Sequence, residues 1–320
     1  TRQQPAARRP GSNTAAAARP AAPKKFGVYE VERRLGAGGM GAVYLGRDPR
    51  LDRKVAIKVL QSAFPDDESL ARFQREGQVL AKLDTPHVVH VYDVGIQGEH
   101  PYLVMEYVAG ESLKGLVERK GGRLELEETL AIVRGALNGL AAVHRAGVLH
   151  RDVKPANIVL RESDGLVKLV DFGVAHVGRE NSELTRSGQA VGTPTFMAPE
   201  QWDGRELDRR ADIYSLGVTW YHLLTGGSPY QGDTPAQILV NITLGQRSTV
   251  IEKRPDLPPA IAAIIEKMSA IGADERYTSC EEVLGAIDAA SRGEAAPPGV
   301  EAAAPRGEAR PAATRTAARP

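Results

Sequence analysis

His150-Arg151-Asp152-Val153-Lys154-Pro155-Ala156-Asn157, followed shortly by Leu166-Val167-Lys168-Leu169-Val170-Asp171-Phe172-Gly173, is the stretch that decides how this chain reads. Asp152 can accept a proton from a hydroxyl. Asn157, five residues on, can ligate a divalent ion through its amide oxygen, and Lys154 between them can sit on a transferred phosphate. Residues 166–170 read as a hydrophobic strand, and that strand delivers a second carboxylate, Asp171, at its end. Magnesium takes hard oxygen ligands and keeps substrate phosphates in its shell, which these two segments together allow.

Upstream, Gly36-Ala37-Gly38-Gly39-Met40-Gly41-Ala42-Val43 fits G-x-G-x-x-G-x-V. Glycines let backbone N–H groups approach a phosphate with no Cβ in the way. A dinucleotide-binding fold would follow such glycines with a helix and an acid about 20 residues on. Here a strand follows, and Lys58 of Val55-Ala56-Ile57-Lys58 stands at that distance. An ammonium inside an apolar strand needs an anion. ATP phosphates are one; Glu76, on the helix expected over 66–83, is another. Downstream of Asp171 comes Ala198-Pro199-Glu200.

Short segments rich in β-branched and aromatic residues predict strands over 29–35, 42–47, 54–60, 88–94 and 102–107. Helical spacing predicts helices over 126–146, 211–224, 235–244, 259–270 and 280–290. Strands first and helices afterwards make an α+β chain in two lobes.

Composition narrows the class. The chain has 320 residues, 42% hydrophobic and 25% charged, enough for a sizeable core. Lys plus Arg number 41 against 40 Asp plus Glu, a net charge of +1. That balance argues against a dedicated nucleic-acid binder. A single cysteine, Cys280, excludes a disulfide framework and a thiolate zinc site, and reads as inert. No apolar run approaches the ~18 residues of a membrane span, and no signal peptide is visible. The chain begins at Thr1 rather than Met, as a fragment would. A soluble, cytoplasmic setting is expected, with a membrane tether outside the fragment still allowed. Residues 1–25 are Ala, Pro and Arg-rich and carry +6; residues 293–320 are Ala and Pro-rich and carry +1. Neither tail has the apolar side chains to offset its ordering entropy, so both are expected to be disordered. Residues 26–292 then form the folded part, with a net charge of −6.

Taken together and in this order, the glycine loop, Val-Ala-Ile-Lys, the helix Glu, His-Arg-Asp with its Asn, Asp-Phe-Gly and Ala-Pro-Glu resemble the eukaryotic-like protein kinases. Lys154 matches the Ser/Thr branch, and the Gly-Met-Gly-Ala-Val-Tyr stretch and the tails look like bacterial members. The resemblance covers about residues 27–292. It implies a bilobal protein kinase fold, with a strand-rich N-lobe carrying one helix (about 26–106) and a helical C-lobe (about 107–292). It implies ATP with Mg²⁺, Mn²⁺ being an alternative, and protein substrates bearing Ser or Thr. It leaves room for a homodimer arranged for trans-autophosphorylation.

Roles carry over position by position. Gly36, Gly38 and Gly41 would cover the ATP phosphates, beside Leu35. Val43, Ala56 and Val159 would sandwich the adenine. Met105 would be the gatekeeper, and the backbones of Glu106 and Val108 would bond the adenine edge. Glu111 is a ribose or substrate contact by this comparison. Lys58, aimed by Glu76, would hold the α- and β-phosphates. Asn157 and Asp171 would hold the metals, Asp152 the substrate hydroxyl and Lys154 the phosphate in transfer. Asp212 resembles the buried helix Asp that props the catalytic loop, with His144 bonded to it. Glu200 would pair with Arg276, and Leu80, Val91, His150 and Phe172 would stack as a hydrophobic spine.

Two departures stand out: Ala156 replaces an acid found in kinases that prefer basic substrates, and His176 replaces a Lys or Arg. Thr193 is assigned to substrate positioning. Thr185 and Ser187 are assigned to autophosphorylation, their phosphate pairing with Arg151, otherwise an unpaired cation. A catalytically silent scaffold of the same fold is the competing reading; the presence of Lys58, Asp152, Asn157 and Asp171 speaks against it. A small-molecule kinase is disfavoured by Thr193 with Ala198-Pro199-Glu200, which marks a peptide-docking segment.

Overall fold

Val55 and Ile57 alternate with Ala56, Lys58 and Leu60 along the strand Arg53–Leu60 (β4), and both sets are buried. A strand buried on both faces lies inside a sheet. In the computed structural model, which describes residues 24–38, 41–60, 64, 66–172, 194–202 and 204–294, that sheet has six antiparallel strands. They are Lys25–Phe26 (β1), Tyr29–Gly38 (β2), Gly41–Asp48 (β3), β4, Val91–Gln97 (β5) and His100–Glu106 (β6), in the order β1-β2-β3-β4-β6-β5. Val55, Ile57, Tyr102 and Val104 face outward onto Phe26 and Tyr29. Ala56, Leu60, Leu103 and Met105 face a larger core that runs on into the rest of the molecule.

That inner face is covered by the helix Asp67–Ala81 (α1). Asp66 caps it, its carboxylate accepting from the Ser69 N–H at 2.7 Å. Phe73, Gly77 and Leu80 form its buried stripe. A Cβ on Gly77 would come within 2.6 Å of Val94 Cγ2, so glycine lets α1 lie close on β5.

The second lobe contains Gly110–Ser112 (β7), Leu113–Arg119 (α2) and Leu126–Arg145 (α3). A single helical turn, Pro155–Asn157, then leads into Ile158–Arg161 (β8) and Val167–Leu169 (β9), which complete a three-stranded sheet ordered β7-β8-β9. Pro199–Trp202 (α4), Arg209–Thr225 (α5), Pro235–Thr243 (α6), Val250–Lys253 (α7), Pro259–Met268 (α8) and Cys280–Ser291 (α9) follow. Every residue of α5 from Ala211 to Tyr221 is buried, so this helix is the axis of the lobe rather than part of its surface. Trp220 Nε1 donates to Thr129 Oγ1 of α3 at 3.1 Å. Among the described residues no helix is long and apolar enough to cross a membrane.

The α+β, two-lobed architecture expected from the sequence is present. One element differs. The apolar run at 88–94 reads as a strand, but β5 begins at Val91, and Val88 instead bridges in parallel to Leu169 of β9. Val89 N–H donates to Leu169 O at 3.1 Å, and Leu169 N–H to His87 O at 2.8 Å. Backbone bonds of residues 87–89 thus tie the lobes together. The short elements β1, β7, β8, α2, α4 and α7 carry too few periods to be read from sequence.

Arg276 is 3% exposed, and every donor has a target. Glu200 accepts from Nη1 at 2.6 Å and Nη2 at 2.9 Å, while Ala270 O, Ile271 O and Arg210 O accept the remainder. Removing the carboxylate would strand a buried cation. Glu200→Ala is expected to cost ~3–5 kcal/mol in urea denaturation. A loss below about 1 kcal/mol would show that the carbonyls alone hold the guanidinium.

Candidate active site

Asp212, in the first turn of α5, is 1% exposed and organises the loop that carries Asp152. Its Oδ2 accepts from His144 Nε2 and from the His150 N–H, and its Oδ1 from the Arg151 N–H, each at 2.8 Å. Burial would raise this carboxyl; the bonds from His144 and the His150 backbone outweigh it and hold the group below the ordinary aspartate range. The price of so anchoring two consecutive N–H groups is a left-handed Arg151, φ 64°. The His150 ring lies 4.6 Å from the Phe172 ring, and its Nε2 meets Val170 O at 3.1 Å. Leu80, Val91 and Phe172 belong to one core cluster. Cys280 Sγ sits 3.7 Å from His144 Nδ1, and burial pushes its thiol well up.

Asp152, Lys154 and Asn157 converge. Lys154 Nζ and Asn157 Nδ2 both lie 2.8 Å from Asp152 Oδ2, and Asn157 Nδ2 also donates to Asp152 O at 2.8 Å. Asn157 therefore spends its donors on the loop and keeps Oδ1 as an acceptor. Asp171, left-handed at φ 62°, stands across from it. Its Oδ1 is buried and receives no aligned hydrogen bond; it is met at 2.5 Å by the Lys58 ammonium as an ion pair. Lys58 also donates to Phe172 O at 3.2 Å. A carboxylate and an amide oxygen fall short of a complete protein cage. That donor set suits magnesium, which keeps waters and substrate phosphates among its ligands.

Most of the residues expected to meet a nucleotide lie on the six-stranded sheet or beside it. Val43 pairs with Lys58 across β3 and β4, and Ala56 with Met105 across β4 and β6. Val43 and Val108 pack against the core that contains Ala56 and Met105. A Cβ on Gly41 would lie 2.0 Å from Val59 O and φ is 142°, so only glycine closes this hairpin; Gly36 and Gly38 face open space, room that a phosphate group can use. Leu35 is exposed on the same strand. Val159 pairs with Ser112 and Lys168 on the opposite side of the cleft. Glu106 N–H donates to His90 O at 2.8 Å. Glu111 is engaged by Arg119 at 2.7 Å.

Two expectations are corrected. Lys58 does not face Glu76: the Asp171 carboxylate reaches the buried ammonium instead. Arg151 is not unpaired: its Nη1 lies 3.5 Å from Glu76, whose carboxyl burial pushes up while Arg151 and Arg72 pull it down. Charges this deep pair with whatever opposite charge is nearest, and sequence order does not rank distance. Gly173, His176, Thr185, Ser187 and Thr193 lie outside the described residues.

Two residues escaped the sequence reading. Buried Gln201 accepts from the Ala198 N–H at 2.9 Å and donates to Arg151 O at 3.0 Å, tying Ala-Pro-Glu to the catalytic loop. Lys168 is 3% exposed and pairs with Glu106 at 2.7 Å. A lysine inside the apolar run 166–170 is the same signal that singles out Lys58.

The protein kinase domain family model matches residues 29–286. The chain is 39% identical over 283 residues to a probable serine/threonine-protein kinase of Streptomyces coelicolor, covering 87% of this chain and 42% of that protein. It is 40% identical over 253 residues to the serine/threonine-protein kinase PknL of Mycobacterium tuberculosis, covering 78% and 62%. The PknI kinase domain of Mycobacterium tuberculosis, a crystal structure, matches with a TM-score of 0.65 and 33% identity over 82% of this chain and 96% of that one. The chain thus spans only 42% and 62% of the length of these two full-length relatives.

The ion chemistry sets a pH dependence. Burial lowers the pKa of His150 and of His222, so both resist protonation when folded. As pH falls below about 6.5 the unfolded chain takes up these protons first, and stability declines. Asp212, depressed in the fold, adds a second loss only below about 3.9, and the raised Glu76 acts in the opposite sense near its own range. The melting temperature is therefore expected to fall from pH 7.5 to pH 5. His150→Phe, which keeps the ring on Phe172, should flatten that slope. A parental slope in the variant would assign the effect elsewhere.

Proposed function

The chain belongs to the protein kinase domain family, in its bacterial serine/threonine branch, and on that premise we propose that it transfers the γ-phosphate of ATP to serine and threonine hydroxyls of proteins. The observation that carries the reading is the Asp152 carboxylate. Lys154 and Asn157 both bond Oδ2, and among the described residues no hydrogen bond reaches Oδ1. Oδ1 accepts the proton of the substrate hydroxyl as that oxygen attacks, and Lys154 balances charge on the phosphate in transfer. Magnesium, or manganese in its place, held by Asp171 and Asn157 Oδ1, neutralises phosphate charge when bound. Val43, Ala56 and Val159 enclose the adenine, Glu106 O and Val108 N–H bond its edge, Met105 closes the back, and Leu35, Gly36, Gly38 and Gly41 cover the phosphates. Lys58 exchanges Asp171 for the α- and β-phosphates. Positioning and charge neutralisation are most of what phosphoryl transfer requires.

Regulation belongs to the same reading. A phosphate on Thr185 or Ser187 adds about −1.5 to −2 charges. It would compete with Glu76 for Arg151, and Glu76, once released, can aim Lys58. Thr193 positions the substrate. Protein substrates, a homodimer for trans-autophosphorylation and a cytoplasmic location complete the proposal; no nucleic acid is involved. The alternative, a silent scaffold, would bind nucleotide without transfer.

Asp152→Asn separates these readings. It is expected to fold, bind ATP and lose ~10²–10⁴-fold in kcat on a protein substrate. Near-parental transfer would remove Asp152 as the base, and a parent protein that binds ATP without any transfer would establish the scaffold. For regulation, mass spectrometry of protein incubated with ATP should find phosphate on Thr185 or Ser187. The double variant Thr185→Ala, Ser187→Ala should lose the activation that preincubation gives. Full activation in that variant would overturn the exchange at Arg151.

A further inference from the structure

Lys168 lies in β9, three residues before Asp171, and is 3% exposed. Its Nζ meets Glu106 Oε2 at 2.7 Å and Val88 O at 3.3 Å. Glu106 is the last residue of β6, where the chain leaves the N-lobe sheet. The same Glu106 carboxylate accepts from the His90 N–H at 3.3 Å, and Glu106 N–H returns a bond to His90 O at 2.8 Å. One peptide is thus fixed through its own side chain as well as its backbone. Residues directly opposite in a ladder share a face. Lys168 pairs with Val159, so its stem runs beside a residue assigned to the adenine floor.

A solitary lysine in an apolar strand costs several kcal/mol in desolvation, and a methionine would fill the same stem volume. The ion pair stabilises nothing that a hydrophobic pair could not. What it supplies is direction: a charge-assisted bond fixes the rotation of the Glu106 side chain, and with it the peptide at the lobe boundary. We propose that Lys168 is a positioning residue for the nucleobase, acting through Glu106 to orient the hinge carbonyl that accepts from the adenine edge. The proposal rests on the ATP-binding reading above. It does not require phosphoryl transfer.

The test compares adenosine, which has a base and no phosphates, with magnesium tripolyphosphate, which has phosphates and no base. Both are titrated calorimetrically against the whole chain, beside steady-state kinetics for ATP. Lys168→Met is expected to weaken adenosine about tenfold, the worth of one charge-assisted bond. Tripolyphosphate affinity should stay at the parental value. KM for ATP should rise with the loss of adenosine binding while kcat changes little, because Asp152 and Asp171 are untouched. Lys168→Arg should restore most of the adenosine affinity. If Lys168→Met melts far below the parent, Lys168→Met with Glu106→Gln removes the stranded carboxylate and is read instead, with the same base-selective loss expected. Parental adenosine affinity in a folded variant would overturn the proposal, as would an equal loss for adenosine and tripolyphosphate, which marks a general structural role. A parent that binds adenosine but transfers no phosphate sinks the kinase activity and leaves this inference standing. A parent that binds no adenosine sinks both.

Discussion

The carboxylate of Asp212 is the constraint from which the site follows. An ion almost wholly removed from water costs several kcal/mol unless its lone pairs are met, and the donors that meet it are a histidine ring and two consecutive backbone N–H groups. Backbone donors cannot move independently. Anchoring both His150 and Arg151 fixes the path of the chain into Asp152, at the cost of a left-handed Arg151. His150 carries the constraint further, through its ring on Phe172 and its bond to Val170 O, on either side of Asp171. Asp152 and Asp171 are thus both referred to one helix residue. That helix, α5, is buried along most of its length, so the reference point itself has little room to shift.

Around that frame the charges sort by proximity. Lys58 takes Asp171, Arg151 takes Glu76, Lys154 takes Asp152 and Lys168 takes Glu106. No buried lysine of the cleft lacks a carboxylate among the described residues, as the cost of an unpaired interior charge demands. Pairing of this kind adds little to net stability; its consequence is a set of defined starting positions. The Glu76–Arg151 contact is the one that joins the N-lobe helix to the catalytic loop, and it does so without Lys58.

Much of this was legible because the chemistry forces particular residue types at particular spacings. The helix from 66, the strand over 54–60 and glycine at 41 each have a local cause, and each is found close to where the sequence places it. The residues of the catalytic loop converge because five positions separate Asp152 from Asn157 and a single helical turn lies between them. What could not be read is what depends on distance across the cleft. Glu76 has two cations within plausible reach, and only the packing of α1 on β5 decides between them. The run at 88–91 is apolar for either a strand or a lobe crossing. Lys168 is different: the argument applied to Lys58 holds for it unchanged, and a buried anion partner was deducible, although Glu106 as that partner was not.

The two ends of the nucleotide site are therefore connected by one short piece of chain. Lys168 pairs with Glu106, and Asp171, three residues later, pairs with Lys58. Three extended residues span at most about 10 Å, and β9 is held in register by β8 on one edge and by the crossing at Val88 on the other. On the proposed reading, a strand so fixed acts as a ruler between Glu106 and Asp171. The crossing at 87–89 is held by backbone hydrogen bonds and by two side chains, with His87 Nδ1 3.0 Å from Val167 O and Lys168 Nζ 3.3 Å from Val88 O. On the proposed reading, the lobes meet where the spacing between base and phosphates has to be kept.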